Sequence, residues 1–339
     1  MEIILPCAGL STRFPNLRPK YLLTDYNGKL MVENALKNFV NKHNITLIIL
    51  DKHNKDFSAE KKLREAFGDQ INIIILENPT SGPADTVYQG LIKGNIDRSA
   101  SILIKDCDSF FDSKEVDGNA ICVTSLTKNP NVRNAAAKSY VVTDEQNIIT
   151  TVVEKKIVSD RFCVGGYQFE RASNFIDAFD QLKSSMTSEI FVSQIIDYNI
   201  SQGAVFTVNE VENFIDVGTS ADWFEFNNKP TYFCDIDGTI LKSKFFYDKE
   251  YEPLENNVKS LLAEQSRGCK LVFCTSRDKK YKELTIEILN ELGFVDYELL
   301  MNIHHTKRVL VNDYANSNPY PTAISINIKR DSDNLSELL

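Results

Sequence analysis

The stretch Asn227-Asn228-Lys229-Pro230-Thr231-Tyr232-Phe233-Cys234-Asp235-Ile236-Asp237-Gly238-Thr239-Ile240-Leu241 decides how this chain is organised. Its first four residues are polar and end in proline, the composition of a short linker. The next four form an apolar run of the kind found in strands buried on both faces. That run ends in two aspartates one residue apart, followed by Gly-Thr. On both sides of this point short apolar β-rich runs alternate with helical periodicity, so the pattern restarts here. A length of 339 residues favours two domains on its own. The reading is an α/β chain with domains at 1–228 and 229–339.

Upstream, Glu2–Cys7, Ile45–Asp51, Ile71–Leu76 and Ser101–Lys105 read as strands, separated by helical patterns at 31–41, 58–67 and 83–93. Continuous apolar strands alternating with helices predict a parallel sheet covered on both faces. A more β-rich stretch over 120–169 makes the expected sheet mixed and Rossmann-like; two helical patterns, 171–183 and 189–202, precede a strand at 205–208. Downstream, helix 256–266, strand 270–274, helix 281–292 and strands 308–311 and 323–328 form a smaller Rossmannoid series. Little chain separates Leu241 from its next helix and no large insertion follows Arg277, which predicts a second domain without a large cap. Substrate selection then falls to 242–253, to the first domain or to another subunit; Lys242, Lys244 and the aromatic run Phe245-Phe246-Tyr247 fit an entrance and, equally well, a solvated loop with an apolar anchor.

Bulk properties narrow the function. A net charge of −9 argues against a general nucleic-acid or anionic-membrane binder, since phosphate backbones call for a cationic surface. Small phosphorylated ligands need only local cations and remain allowed. The seven cysteines are scattered singly, without metal-ligand spacing, as expected of buried, reduced thiols in a cytoplasmic protein. No apolar run approaches membrane-spanning length.

Two constellations carry chemistry. Leu5-Pro6-Cys7-Ala8-Gly9-Leu10-Ser11-Thr12-Arg13-Phe14-Pro15 leads from a strand into a loop of small residues. Backbone N–H groups can approach an anion there, Arg13 can pair with phosphate oxygens, and Lys20 adds a second cation. Asp106 and Asp108 end the fourth strand, where ligands collect in open α/β sheets. Asp216, beside Gly218, offers a further carboxylate, and acids from separate strands can clamp magnesium against a triphosphate. In the second constellation, strand alternation turns Asp235 and Asp237 to one side. One carboxylate can attack phosphorus and the other can serve as acid and then base, with magnesium joining anion to anion.

In order, the loop at 8–14, Pro19-Lys20, Asp106/Asp108, Val153-Glu154-Lys155 and Asp216-Val217-Gly218-Thr219 resemble the sugar-1-phosphate nucleotidyltransferase family over essentially 1–228. The resemblance implies a triphosphate grip by Ala8, Gly9, Ser11, Thr12, Arg13 and Lys20, with Asp106 (or Asp108) and Asp216 on magnesium. It also implies a base-reading loop containing Gly82, Ala84 and Asp85, and acceptor contacts from Glu154, Lys155 and Gly166. Read without it, Glu154-Lys155-Lys156 fits a solvated charge cluster equally well, and Asp216 fits a turn. Cys7 and Leu10 depart from the commonest form of the loop.

The Asp235-Ile236-Asp237-Gly238-Thr239 segment resembles the first motif of the haloacid dehalogenase superfamily, and later motifs follow in order to about 328. By resemblance Asp235 is the nucleophile, Asp237 the acid/base, Thr275 and Ser276 the phosphate binders and Lys307 the neutralising cation. Asp313 joins Asp235 and Asp237 as a magnesium ligand. Asn312 stands where many members carry a second acid, and His304-His305 reads as a solvated loop pair.

These features predict a bifunctional cytoplasmic enzyme. It transfers a nucleotidyl group from a nucleoside triphosphate to a small phosphorylated, sugar-like acceptor, releases pyrophosphate, and hydrolyses a phosphomonoester in the same pathway, with surface polysaccharide precursors as the expected product. Subfamily resemblance favours CTP; UTP, GTP and dTTP stay open. Its partners are then the triphosphate and a small phosphorylated metabolite, with no nucleic acid or membrane and room for a homo-oligomer. The alternative keeps the transferase and makes the second domain a catalytically silent docking or regulatory module, as Asn312 would favour.

Overall fold

A computed structural model describes residues 1–130, 132–185, 188–244, 247–314 and 322–339. The chain divides into two compact units, Met1–Asn227 and Asn228–Leu339.

In the first unit the strands are β1 (Glu2–Cys7), β2 (Asn44–Leu50), β3 (Ile71–Leu76), β4 (Ile102–Lys105), β5 (Ser109–Asp112), β6 (Asn119–Ser125), β7 (Tyr140–Thr143), β8 (Ile149–Val153), β9 (Arg161–Phe169), β10 (Phe206–Glu210) and β11 (Glu212–Asp216). The main sheet runs β10-β6-β9-β4-β1-β2-β3, with β7 joined to β8 and β9. Strands β4, β1, β2 and β3 are parallel, while β9 runs antiparallel to both β4 and β6. Alternation along β1 explains the two cores: Ile3 and Leu5 enter one apolar cluster and Ile4 enters the other.

The helices of this unit are α1 (Met31–Leu36), α2 (Asp51–Phe57), α3 (Ala59–Phe67), α4 (Pro83–Lys93), α5 (Ala172–Ser185), α6 (Val192–Ser201) and α7 (Ser220–Phe226). Helix α4 starts with proline at its first turn and buries Ala84, Val87 and Leu91 along one face. Gly90 lets it lie close to β2, because any side chain there would collide with Ile48. The expected helix at 31–41 is shorter, and α2, α7, β5 and β11 were not legible as periodic runs.

The short pair β5–β11 positions the site. It is antiparallel, with Asp216 opposite Ser109. The Val217 N–H donates to the Asp108 carbonyl at 3.0 Å. The end of β11 is thereby stitched to the turn that follows β4.

In the second unit β12 (Thr231–Asp235), β13 (Lys270–Cys274) and β14 (Tyr297–Leu300) form a parallel sheet in that order. Helices α8 (Glu255–Ser266) and α9 (Lys282–Glu291) pack on it around Ile236, Leu261, Leu271, Phe273, Leu289 and Phe294. The strands expected at 308–311 and 323–328 are not formed: Val309 is 79% exposed, Val311 88% and Ile324 81%. An apolar run suits a strand but does not provide its partner. Here Arg308 is tied to Asp235 and to the Cys274 carbonyl across the strand ends. Beyond 328 the chain is tied instead to Gly238 and Asn257, through the Asp331 and Leu335 N–H groups.

All seven cysteines are free and buried. Among the described residues no helix is long and apolar enough to cross a membrane.

Candidate active sites

The first site gathers where β1 and β4 end. The loop after β1 turns at Ser11, whose φ of 52° lies in the left-handed region. The Ser11 carbonyl accepts from Phe14 N–H at 2.8 Å, and its hydroxyl accepts from Lys20 N–H at 3.1 Å. Phe14 anchors the loop in a cluster with Leu23, Met31, Phe110, Val217 and Trp223. Arg13, Lys20 and Asp108 are thereby brought together. The Lys20 ammonium lies 2.6 Å from the Asp108 carboxylate, and the Arg13 guanidinium lies 3.5 Å from the same oxygen. Burial works against the charge on Asp108, but Lys20 and Arg13 outweigh it and hold its carboxyl well below the usual range. Burial likewise opposes the Lys20 charge, and Asp108 more than compensates, so the ammonium titrates above its ordinary value. Asp106 goes the other way, pushed up by burial and by Asp108.

Glycines shape the space between the acids. Gly165, at φ +78°, lies against Asp106, and any side chain there would collide with that carboxylate. A Cβ on Gly218 would stand 3.0 Å from Asp216, 3.4 Å from Arg13 and 3.6 Å from Asp108, so all three border one point. Asp216 itself is paired with Lys138. At the edge of this group the Glu154 carboxylate accepts from the Ser139 and Ser193 hydroxyls at 2.5 and 2.6 Å. Lys155 is exposed, with its ammonium 4.3 Å over the Phe191 ring.

Other expected residues have different surroundings. The side chains of Ala8 and Ala84 are buried, leaving only their backbones to meet a ligand, whereas Gly9 and Thr12 are exposed. A Cβ on Gly9 would meet nothing within 4 Å. Asp85 is used inside its own loop, accepting from Ser81 and Gln89. Gly82 is packed against Glu189, and Gly166 against Cys122 and Phe111.

The second site lies at the ends of β12 and β13. The Arg277 guanidinium forks onto Asp237 at 2.9 and 2.6 Å, and its side chain is 4% exposed. A third bond reaches Thr285, and the Tyr247 ring covers the guanidinium at 4.6 Å. Thr275 donates to Asp237 at 3.4 Å, and Ser276 meets His305 at 3.3 Å. The cation touching Asp235 is Arg308, at 2.8 Å, one residue past the expected Lys307, which is exposed. Gly238, at φ +90°, makes the turn after the aspartates. Lys242 pairs with Glu252 and Lys244 reaches the Glu250 carbonyl; Phe245 and Phe246 lie outside the described residues. The Asn312 amide donates to the Thr322 carbonyl, and the Asp313 backbone carbonyl accepts from the Thr322 hydroxyl. Among the described residues, no group of three His, Cys, Asp or Glu side chains in either unit is arranged to hold a metal.

Sequence reasoning left Lys138, Ser139, Ser193 and Arg308 unmarked and gave Arg277 no role. A buried-strand end followed by Thr-Ser-Arg offers a signal for Arg277. Lys138, in Ala135-Ala136-Ala137-Lys138-Ser139, has no local signal at all.

A mixed α/β sheet with lysines, an arginine and carboxylates at its strand ends defines a class of enzymes that handle nucleotides and phosphate. Residues 7–231 match the nucleotidyl transferase family, and the chain belongs to it. Residues 232–334 match the haloacid dehalogenase-like hydrolase family. No curated protein matches the chain. Among solved structures, a nucleoside-diphosphate-sugar pyrophosphorylase from Vibrio cholerae RC9 is similar with a TM-score of 0.57 and 19% identity, over 67% of this chain and 100% of that one. An inositol-1-phosphate CTP transferase from T. maritima is similar with a TM-score of 0.52 and 15% identity, over 65% and 90%. At such identities the likeness is one of fold.

Proposed function

We propose that the first unit transfers a nucleotidyl group from a nucleoside triphosphate, CTP in preference, to the phosphate of a small sugar or polyol, releasing pyrophosphate. The observation that carries this reading is the convergence of Arg13, Lys20, Asp108 and Asp216 on one strand end. In the reaction an acceptor phosphate oxygen attacks the α-phosphorus, and the bond to the β-phosphate breaks. Lys20 and Arg13 offset charge growing on the transferring group, a contribution of about 10²–10³ in rate for a well-placed donor. The exposed Gly9 backbone leaves room for phosphate to approach the loop. The fold shared with the T. maritima CTP transferase supports CTP and a polyol phosphate.

Asp108 and Asp216 border the point beside Gly218, and two hard carboxylates of this kind would fit magnesium only together with phosphate oxygens of the triphosphate. Bound there, the ion would neutralise phosphate charge and align the triphosphate. Chelation with EDTA should therefore abolish pyrophosphate release, and added magnesium should restore it.

The second unit, in this reading, hydrolyses a phosphomonoester of the same pathway, with surface polysaccharide precursors as the end product. Asp235 attacks phosphorus, Arg308 takes the neutralising place expected of Lys307, and Arg277 orients Asp237. The described positions of Asp235, Asp237 and Asp313 do not make a three-carboxylate metal set. Both strand-end aspartates are tied to arginines, which favours a second reading of this unit as a silent docking or regulatory module. Free, buried thiols accord with a reducing cytoplasm.

Asp235→Asn separates the readings. Phosphomonoester hydrolysis by the full chain should vanish while pyrophosphate release continues. Loss of both would count against independent sites, and no hydrolysis by the parent protein on any phosphomonoester would favour the silent module.

A further inference from the structure

Cys7, one of the departures from the commonest form of the first loop, ends β1, and Cys107 lies just past the end of β4. The two strands are parallel neighbours, with Glu2 opposite Ile102 and Ile4 opposite Ile104. The same offset carried forward sets Cys7 beside Cys107. Strand alternation turns both side chains into the apolar cluster that holds Ile3, Leu5, Leu103 and Tyr21. The two thiols are buried there and hydrogen-bond to each other. Other cysteines on neighbouring strands are out of step. Cys234 stands opposite Phe273 rather than Cys274, and Cys122 and Cys163 enter opposite cores of the main sheet. Groups of the first site adjoin the matched pair, since Asp106 and Asp108 flank Cys107 and Lys20 directly precedes Tyr21.

We propose that Cys7 and Cys107 are a modification site: a peroxide joins them as a reversible disulfide in the folded chain, and the bond disables the site between the β1 loop and the Asp106–Asp108 turn. Formation of the bond is independent of the transferase reading above; its effect on turnover rests on that reading. Neighbouring strands lie about 4.8 Å apart and disulfides span Cα atoms roughly 4.4–6.8 Å apart, so the bond needs no unfolding. The loop after Cys7 exposes Gly9 and Leu10, and a local opening admits an oxidant little larger than water. Hydrogen peroxide oxidises one thiol to a sulfenic acid and releases water. The second sulfur attacks the sulfenic sulfur and expels hydroxide, which takes the second thiol's proton and leaves as another water. Two electrons thus pass from the sulfur pair to the O–O bond. A dithiol reverses the change by exchange. The S–S bond, about 2.05 Å long, is shorter than the contact between two thiols. Closing that gap draws the loop that bears Arg13 and the turn that bears Asp108 out of their present register.

The test exposes the full chain briefly to hydrogen peroxide, quenches it, and counts thiols in urea. The parent should fall from seven free thiols to five, and dithiothreitol should restore all seven. Peptide mapping without reductant should find the Cys7 and Cys107 peptides joined. Cys7→Ala and Cys107→Ala should each keep all six of their thiols. Pyrophosphate release by the oxidised parent should fall about tenfold or more and return on reduction, as expected when reacting groups shift by about 1 Å. Release by Cys7→Ala should be indifferent to peroxide. A link between other cysteines, sulfinic acid without a crosslink, seven thiols surviving the treatment, or a crosslinked protein that keeps its rate would overturn the proposal. A crosslink that forms in protein releasing no pyrophosphate before or after oxidation contradicts the transferase reading alone.

Discussion

Asp108 is 10% exposed at its side chain and owes its charge to Lys20 and, less closely, to Arg13. Lys20→Met leaves a nearly buried carboxylate with one weak partner, which should cost about 3 kcal/mol in stability near neutral pH. Its effect on kcat should be a loss of about 10²-fold or more. The pH dependence follows from the two directions of shift. The depressed Asp108 pKa gives stability that is complete above the unfolded carboxyl value of about 4 and fades as pH falls towards the folded one. The raised Lys20 pKa gives stability that is complete below about 10 and fades as pH rises beyond it. Urea titrations should therefore show a constant gap between parent and variant from pH 5 to 9, narrowing towards pH 3. A gap that widens in acid would refute the assignment. Asp108 could be read from the sequence because it follows an apolar run, and Arg13 and Lys20 because they lie in or just after the small-residue loop that follows β1. Lys138 and Arg308 could not, since a single cation in a loop has no pattern until the chain around it is folded.

At the level of the elements, strand ends were more legible than strand partners. Runs such as Ile71–Leu76 and Lys270–Cys274 are apolar enough to be recognised directly. β5 and β11 escaped notice because they are short and partly polar, and their register depends on residues about a hundred positions apart. The runs at 308–311 and 323–328 are the converse, apolar without a pairing edge. Gly165 shows how an element can serve a site: its left-handed backbone lets β9 pass against Asp106. Gly165→Ala should cost about 1–3 kcal/mol from backbone conformation alone. It should also displace Asp106 and lower kcat more than it raises the KM for triphosphate. Steady-state kinetics and a thermal melt would check both, and a change confined to KM would count against this role for Asp106.

Over the whole molecule, each unit has its own sheet and apolar core, and Trp223, the sole tryptophan, lies buried in the first. Arg277→Met removes the fork from Asp237 and leaves that acid half-enclosed, at a cost of about 3–5 kcal/mol to the second unit. Circular dichroism should reveal an earlier partial transition, while Trp223 fluorescence should keep the parent midpoint. A shared shift of both signals would show that the units unfold as one. The cysteines offer a finer gauge of the same behaviour. Cys7, Cys107, Cys122 and Cys163 belong to one unit and Cys234, Cys269 and Cys274 to the other, all shielded. A thiol-reactive dye added to the folded chain should stay dark, then count three sites as one body opens and four as its neighbour does, so the protein carries an internal tally of partial denaturation.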